Sequence, residues 1–307
     1  MRTGERGFVF VAVAAALVLM SALMAGAFFY ALQEERLGRS GQATVRALAA
    51  AEAGTAAALA QWTPSREGAL LPGDALAVGV SLPQGAGSVS ATVTAWGERF
   101  MLIRSRGTDP TGSAAREVAV LVRLALPAAL TPAALTLSEA STMDLAERVD
   151  ASDYRRAEWR CQDPPTEVPA VVSPWPEPWS DWDSLRARAA TGTVLPDAQH
   201  PVVLVPGDLN LVGGSGTGIL LVDGNATLAG GAMLTGLLLV SGRLEFRGIG
   251  GTVTGAARAG SIAADPTALA GDPLVKWSSC AVLRARRAAA RPMPARGWSW
   301  VDLSGGW

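Results

Sequence analysis

Residues Phe8 to Leu32 read FVFVAVAAALVLMSALMAGAFFYAL, an uninterrupted apolar run without a charged side chain. As an α-helix rising ~1.5 Å per residue, this run spans roughly 37 Å, enough to cross a hydrocarbon core of ~30 Å with some tilt. It is expected to lie in a membrane. Arg2 and Arg6 precede it, and Glu34 and Glu35 follow it. The positive-inside tendency then predicts a cytoplasmic N-terminus, with everything beyond Leu32 in the periplasm or outside the cell.

A cleavable secretory signal is the competing reading, because the basic start and the small residues Ala25-Gly26-Ala27 suit a signal peptidase. Two features weigh against it. The run is longer than the usual ~7–15 apolar residues of a signal, and it passes into LQEERLGRSGQATVRALAAAEAGTAAALAQW, which is rich in good helix formers. One helix is therefore expected over residues 8–62, stopped by Thr63-Pro64-Ser65 and Gly68. Within it Val45, Leu48, Ala49, Glu52, Ala56 and Leu59 set mostly small apolar side chains on one face, suited to close packing on a sheet.

Gly7-Phe8 at the leader boundary, the apolar helix, Leu32-Gln33-Glu34-Glu35-Arg36 and Ala49-Ala50-Ala51-Glu52-Ala53-Gly54 together resemble the N-terminus of PilX-type minor pilins of type IV filaments. The resemblance covers about the first sixty residues. It implies that a prepilin peptidase cuts after Gly7 and methylates Phe8, and that the helix packs with other pilins. It also implies residence in the inner membrane, then in an extracellular filament, at or near its tip. This chain departs from major pilins in one respect. Five residues into the mature chain, where they carry a glutamate, stands Ala12. That departure argues against a bulk filament subunit.

Beyond the helix, residues 75–126 alternate in the manner of strands. Ser88-Val89-Ser90-Ala91-Thr92-Val93-Thr94-Ala95-Trp96 turns at Gly97 into Arg99-Phe100-Met101-Leu102-Ile103-Arg104. Gly107-Thr108-Asp109-Pro110-Thr111-Gly112 then leads to Glu117-Val118-Ala119-Val120-Leu121-Val122-Arg123. This pattern predicts an antiparallel meander with one face on the helix, the architecture that the resemblance also implies. Pro127 and Pro132 mark its end. Ala134 to Leu137 and Met143-Asp144-Leu145 are short alternating pieces that open a second domain. Residues 158–183 hold Cys161, Trp159, Trp175, Trp179 and Trp182 among many prolines, and so are expected to lie packed without regular structure. Ser180-Asp181-Trp182-Asp183 starts a helix expected to reach Ala190.

An internal repeat follows from Val202 to Ile262. Gly207, Gly224 and Gly242 recur at spacings of 17 and 18. Each is preceded by an apolar run (Val202 to Val205, Ile219 to Val222, Leu237 to Val240) and followed by alternation closing on a glycine corner. Such a period reads as about three coils of a parallel β-helix, with an antiparallel sandwich as the alternative. The apolar strands have no solvated face, so the tryptophan-rich segment, the Cys280–Ala290 helix or a partner must cover them. The fold class is thus α+β: a long N-terminal membrane-spanning helix, an antiparallel pilin-like meander and a glycine-rich parallel β-helix. The domain plan is a leader at 1–7, a helix at 8–62, the meander at 63–130, a Pro/Trp-rich connection at 131–200, repeats at 201–265, and a helix with a Trp-rich tail (Trp298, Trp300) at 266–307.

The chemistry that the chain excludes is as informative. A net charge of −1 gives no electrostatic case for nucleic acid. Arg284, Arg286 and Arg287 suit the C-terminal dipole of their helix. His200, the only histidine, has no neighbouring ligands for a metal. Gly213-Gly214-Ser215-Gly216-Thr217-Gly218 lacks the Lys-Ser/Thr ending of a phosphate loop. Asp208, Asp223 and Glu245 fall at different offsets of their coils, so no acid/base pair assembles. No enzyme, cofactor or metal is expected. Cys161 and Cys280 suit an oxidising compartment and are read either as one bridge or as two unpaired buried thiols. Two functions from different classes remain. One is a non-catalytic minor-pilin-like subunit that helps to initiate assembly. The other is an unprocessed membrane-anchored envelope protein whose β-helix binds glycan or polymerises.

Overall fold

The computed structural model describes residues 5–128, 132–141, 143, 145, 147–159, 161, 164–175, 182–192, 195–269, 272–295 and 300–302. Residues 1–4 of the leader, Asp144, Trp179 to Asp181, Trp298, Ser299 and Leu303 lie outside the described residues.

A single helix, α1 (Glu5–Ala60), forms because alanine, leucine and other good formers run through it without proline. The helix ends at Ala60 and the chain turns through α2 (Pro64–Glu67), whose Glu67 carboxylate accepts the Thr63 N–H at 2.8 Å. Strands β1 (Ala75–Val78), β2 (Ser88–Ala95), β3 (Phe100–Thr108) and β4 (Ala115–Ala125) then pair antiparallel, each with the next. Their alternation puts Ala91, Val93, Met101, Ile103, Val120 and Val122 in one core with Ala51 and Ala58 of α1. Helix and sheet meet backbone to backbone. A Cβ on Gly107 of β3 would stand 2.3 Å from Ala51 N and 2.4 Å from Ala47 O.

The second body begins with the short strands β5 (Leu135–Leu137), β6 (Val149–Asp150) and β7 (Val171–Val172), the helix α3 (Trp182–Arg186) and β8 (Ala190–Thr191). The helix expected to reach Ala190 therefore stops four residues early, because Ala190 and Thr191 pair in parallel with Val203 and Leu204. Next come β9 (Val202–Val205), β10 (Leu209–Val212), β11 (Ser215–Val222), β12 (Ala226–Ala229), β13 (Ala232–Arg247) and β14 (Gly251–Ala264). They wind a parallel β-solenoid of about four turns. One face stacks Val202 on Ile219, then Leu237, then Ala256; the other stacks Leu209 on Ala226, Leu244 and Ile262. All these pairings are parallel, which rules out the antiparallel sandwich.

The additional coil, β14, escapes the sequence pattern because Ala256-Ala257-Arg258-Ala259 replaces the Leu/Val run of its neighbours. After α4 (Pro266–Leu269) and β15 (Val275–Trp277), helix α5 (Ser279–Ala288) lies across β11, β13 and β14. It brings Val282, Ala285 and Ala289 into the solenoid core, covering the face that had to be covered. A glycine column makes this approach feasible. Gly218, Gly236 and Gly255 stack with φ of 146°, 132° and 137°, and a Cβ on Gly236 would stand 2.9 Å from Ala285 Cβ.

Residues 266–307 are not a unit of their own. Strands β16 (Arg291–Pro294) and β17 (Trp300–Asp302) return to the first sheet and pair antiparallel with β4. The Pro/Trp-rich connection likewise gives β5, β6, β7 and β8 to the solenoid sheet. In β16, Ala295 N–H reaches Leu121 O at 3.1 Å, so alternation turns Pro292 and Pro294 to the free edge, where neither offers an N–H.

Two outcomes follow from this packing. Gly107→Val forces α1 off the sheet and is expected to cost about 3 kcal/mol, whereas Gly97→Ala, with open space around its Cβ, should stay within about 0.5 kcal/mol; thermal unfolding of the full chain in micelles checks both. At the β3–β4 turn, the Thr111 hydroxyl, the Ala114 and Thr111 N–H groups and Ser113 Oγ hold the Asp109 carboxyl down to about 2, from an ordinary 3.8. A depressed carboxyl stabilises the fold above its unfolded pKa and loses that contribution as pH falls through the folded one. The difference in unfolding midpoint between the native chain and Asp109→Asn should therefore hold near neutrality and shrink from about pH 4 to pH 2.

Candidate functional site

α1 has two chemically different halves. From Ala47 to Ala58 its inner face is buried on the sheet, as Ala47, Ala50, Ala51 and Ala58 show. From Phe10 to Leu37 it is exposed, apart from half-buried Leu32. Phe10 is 76 % exposed, Leu23 73 % and Leu37 73 %, and the most apolar 18-residue window has a mean hydropathy of 2.3. Surface of this kind costs about 25 cal/mol for each Å² left in water, so the segment requires lipid or other apolar helices around it. By length and composition it can span a membrane. The backbone is satisfied along the helix, and Ser21 Oγ donates to Leu17 O at 2.7 Å. Charge resumes at Glu34 and Glu35, and Arg39 pairs with Glu35 one turn on.

Gly7 and Phe8, the residues of the expected processing point, both lie within the first turns of α1. Ala12 stands in the same apolar half and is exposed.

The basic cluster of α5 has a role that the dipole reading missed, for two of its three arginines fasten the bodies together. Arg286 Nε donates to Pro127 O at 2.8 Å, and Arg287 Nη2 to Leu70 O at 2.6 Å. Arg188 Nη1 donates to Ala289 O at 3.0 Å, tying the turn after α3 to the C-cap of the same helix. Burial pulls the guanidinium pKa of Arg284 and of Arg287 below the ordinary value, with Glu158 and Glu98 respectively opposing the shift. At its start α5 is capped by Ser278, whose hydroxyl accepts Ala281 N–H. Asp153 accepts Ser279 N–H at 2.9 Å and Ser279 Oγ at 2.6 Å; burial resists its ionisation, yet these bonds keep its pKa below the ordinary value. Cys161 and Cys280 form a disulfide with Cα atoms 5.9 Å apart, joining the Pro/Trp-rich connection to α5. A hint in the sequence was the mixture of arginines with an otherwise apolar helix face.

The remaining candidates serve the scaffold. Asp208 accepts Asn225 N–H at 2.7 Å, and Asn225 Oδ1 accepts Arg243 N–H at 2.9 Å, so this column locks successive coils. Asp223 pairs with Arg186, and Glu245 with Arg247. His200 is exposed, with Nδ1 3.5 Å from Asp197. Gly213 and Gly214 form a corner, and Ser215 to Gly218 continue as β11 rather than opening a helix. Among the described residues no group of three His, Cys, Asp or Glu side chains is arranged to hold a metal. No protein-family model, curated protein or solved structure matches this chain.

A charge in the bare half tests its environment. Leu19→Arg is expected to disfavour membrane integration by about 2.5–3.5 kcal/mol, and Leu19→Phe to leave it unchanged, as read by the fraction of protein resisting alkaline extraction of membranes.

Proposed function

We propose that this chain is a non-catalytic, minor-pilin-like subunit of a type IV filament, at or near the tip, that takes part in starting assembly. The observation that carries the reading is the single rod of α1, one half bare and apolar and the other buried on an antiparallel sheet. A bare helix of this kind exchanges lipid for a bundle of like helices while its apolar surface stays out of water. In this reading a prepilin peptidase cuts after Gly7 and methylates Phe8, and the partners are other pilins that pack along the helix. The protein waits in the inner membrane, single-pass, with its β-rich body in the periplasm, and then leaves in the filament. The solenoid is its head.

One observation favours a second reading, an unprocessed envelope protein whose head self-assembles: the outer edge of β10 has no neighbouring strand among the described residues. The mass of the mature N-terminus separates the two. A chain beginning at methylated Phe8 is expected, and a Gly7→Leu variant should accumulate as membrane-bound precursor. Retention of Met1, or a start near residue 28, would sink the pilin reading.

A further inference from the structure

At the end of the first sheet remote from the bare half of α1 lies a cleft of about 850 Å³, lined by Arg99, Phe100, Arg123, Arg286 and Met293. We propose that it receives an acidic, extended segment of a partner protein. Its floor is a row across three strands: Phe100 of β3 stands opposite Arg123 of β4, which stands opposite Met293 of β16. The flanking groups are held in place. Trp96 N–H closes the β2–β3 turn onto Phe100 O at 3.0 Å, Leu124 N–H reaches Arg99 O at 2.8 Å, and Arg286 comes from α5 anchored to Pro127 O.

Charge selects the occupant. Three arginines line the cleft, Arg99 and Arg123 exposed and Arg286 bonded to Pro127 O, and no carboxylate lines it among the described residues. Glu98, on the same turn, is directed inward, with Oε2 buried and its charge supporting that of buried Arg287. Farther along the sheet the situation differs, because Arg104 already has Glu117 at 3.8 Å. A carboxylate entering the cleft therefore meets the exposed side chains of Arg99 and Arg123, whose planar guanidinium groups can each bind two oxygens at once.

The apolar component points to protein rather than to a polyanion. Phe100 is 41 % exposed, Met293 53 % and Trp96, on the adjoining turn, 69 %. Aromatic residues, methionine and arginine are the types enriched where proteins meet, and each leaves apolar surface in water until a partner covers it. Strand addition is closed off, because the free edge of β16 presents Pro292 and Pro294, which have no N–H to offer. Recognition must therefore run through side chains, which favours a segment alternating carboxylates with apolar groups. The inference goes beyond the proposed function and does not depend on processing at Gly7.

The test uses the full chain in uncharged detergent micelles and fluorescence anisotropy of a short labelled peptide alternating Glu with Leu and Trp. Saturable binding that weakens with added salt is expected. The double variant Arg99→Glu with Arg123→Glu, both residues exposed, should bind at least about tenfold more weakly at an unchanged melting temperature, and Phe100→Ser about fivefold more weakly. Any of three results would overturn the proposal: no binding of the Glu peptide, equal binding of the same peptide with Lys for Glu, or equal binding by the double variant. Capture of dextran sulfate with no binding of the peptide would assign the cleft to polyanions instead, and overturns it as well.

Discussion

The backbone-to-backbone approach of α1, at Ala47 to Ala51, onto Gly107 is the contact on which the remaining architecture rests. Small residues on both sides let a helix axis come near enough to the sheet for Ala51, Ala58, Ile103 and Val120 to share one core. The sheet is thereby fixed to a rod whose other half is exposed. The solenoid is fixed in turn through α5, whose Arg286 and Arg287 reach carbonyls at Pro127 and Leu70 on the side of the first sheet. Position is passed along from helix to sheet to head through close packing and buried hydrogen bonds.

Some of this was legible in the residues and some was not, for physical reasons. Periodicity revealed α1, strands β2 to β4 and the coils around Gly207, Gly224 and Gly242, because each buries one face in a regular pattern. It included β14 in the repeat but did not read it as a coil of its own, because small alanines occupy its inward positions and no Leu/Val run advertises the strand. It also missed β6 to β8, which are two residues long and owe their conformation to parallel neighbours rather than to their own propensity. Pro292 and Pro294 read as helix stops, which they are, but only the register shows that they also form a strand beside β4. Of the candidate site, the bare half of α1 was plain from Phe8 to Leu32. The seam arginines were not, since their acceptors at Leu70 and Pro127 are distant in sequence.

The solenoid shows how a fold that needs caps is supplied with them. β8 pairs with β9 at one end of its long sheet, and β6 and β15 extend the other. The column of Gly218, Gly236 and Gly255 lowers the surface so that α5 can lie against it, and the disulfide from Cys161 holds the start of that helix. The capping strands β6, β8 and β15, helix α5 and the disulfide come from segments outside the repeat, whereas the glycine column belongs to it.

The return of β16 and β17 to β4 has a further consequence, for the order of biogenesis. Translation delivers α1 and β1 to β4 first, yet that sheet is completed only by β16 and β17, after the whole solenoid has been made. Until then the β4 edge from Val118 to Ala125 is an open template for stray pairing. A prematurely terminated chain would retain this raw edge. Completion of the first sheet thus requires a chain synthesised through the solenoid.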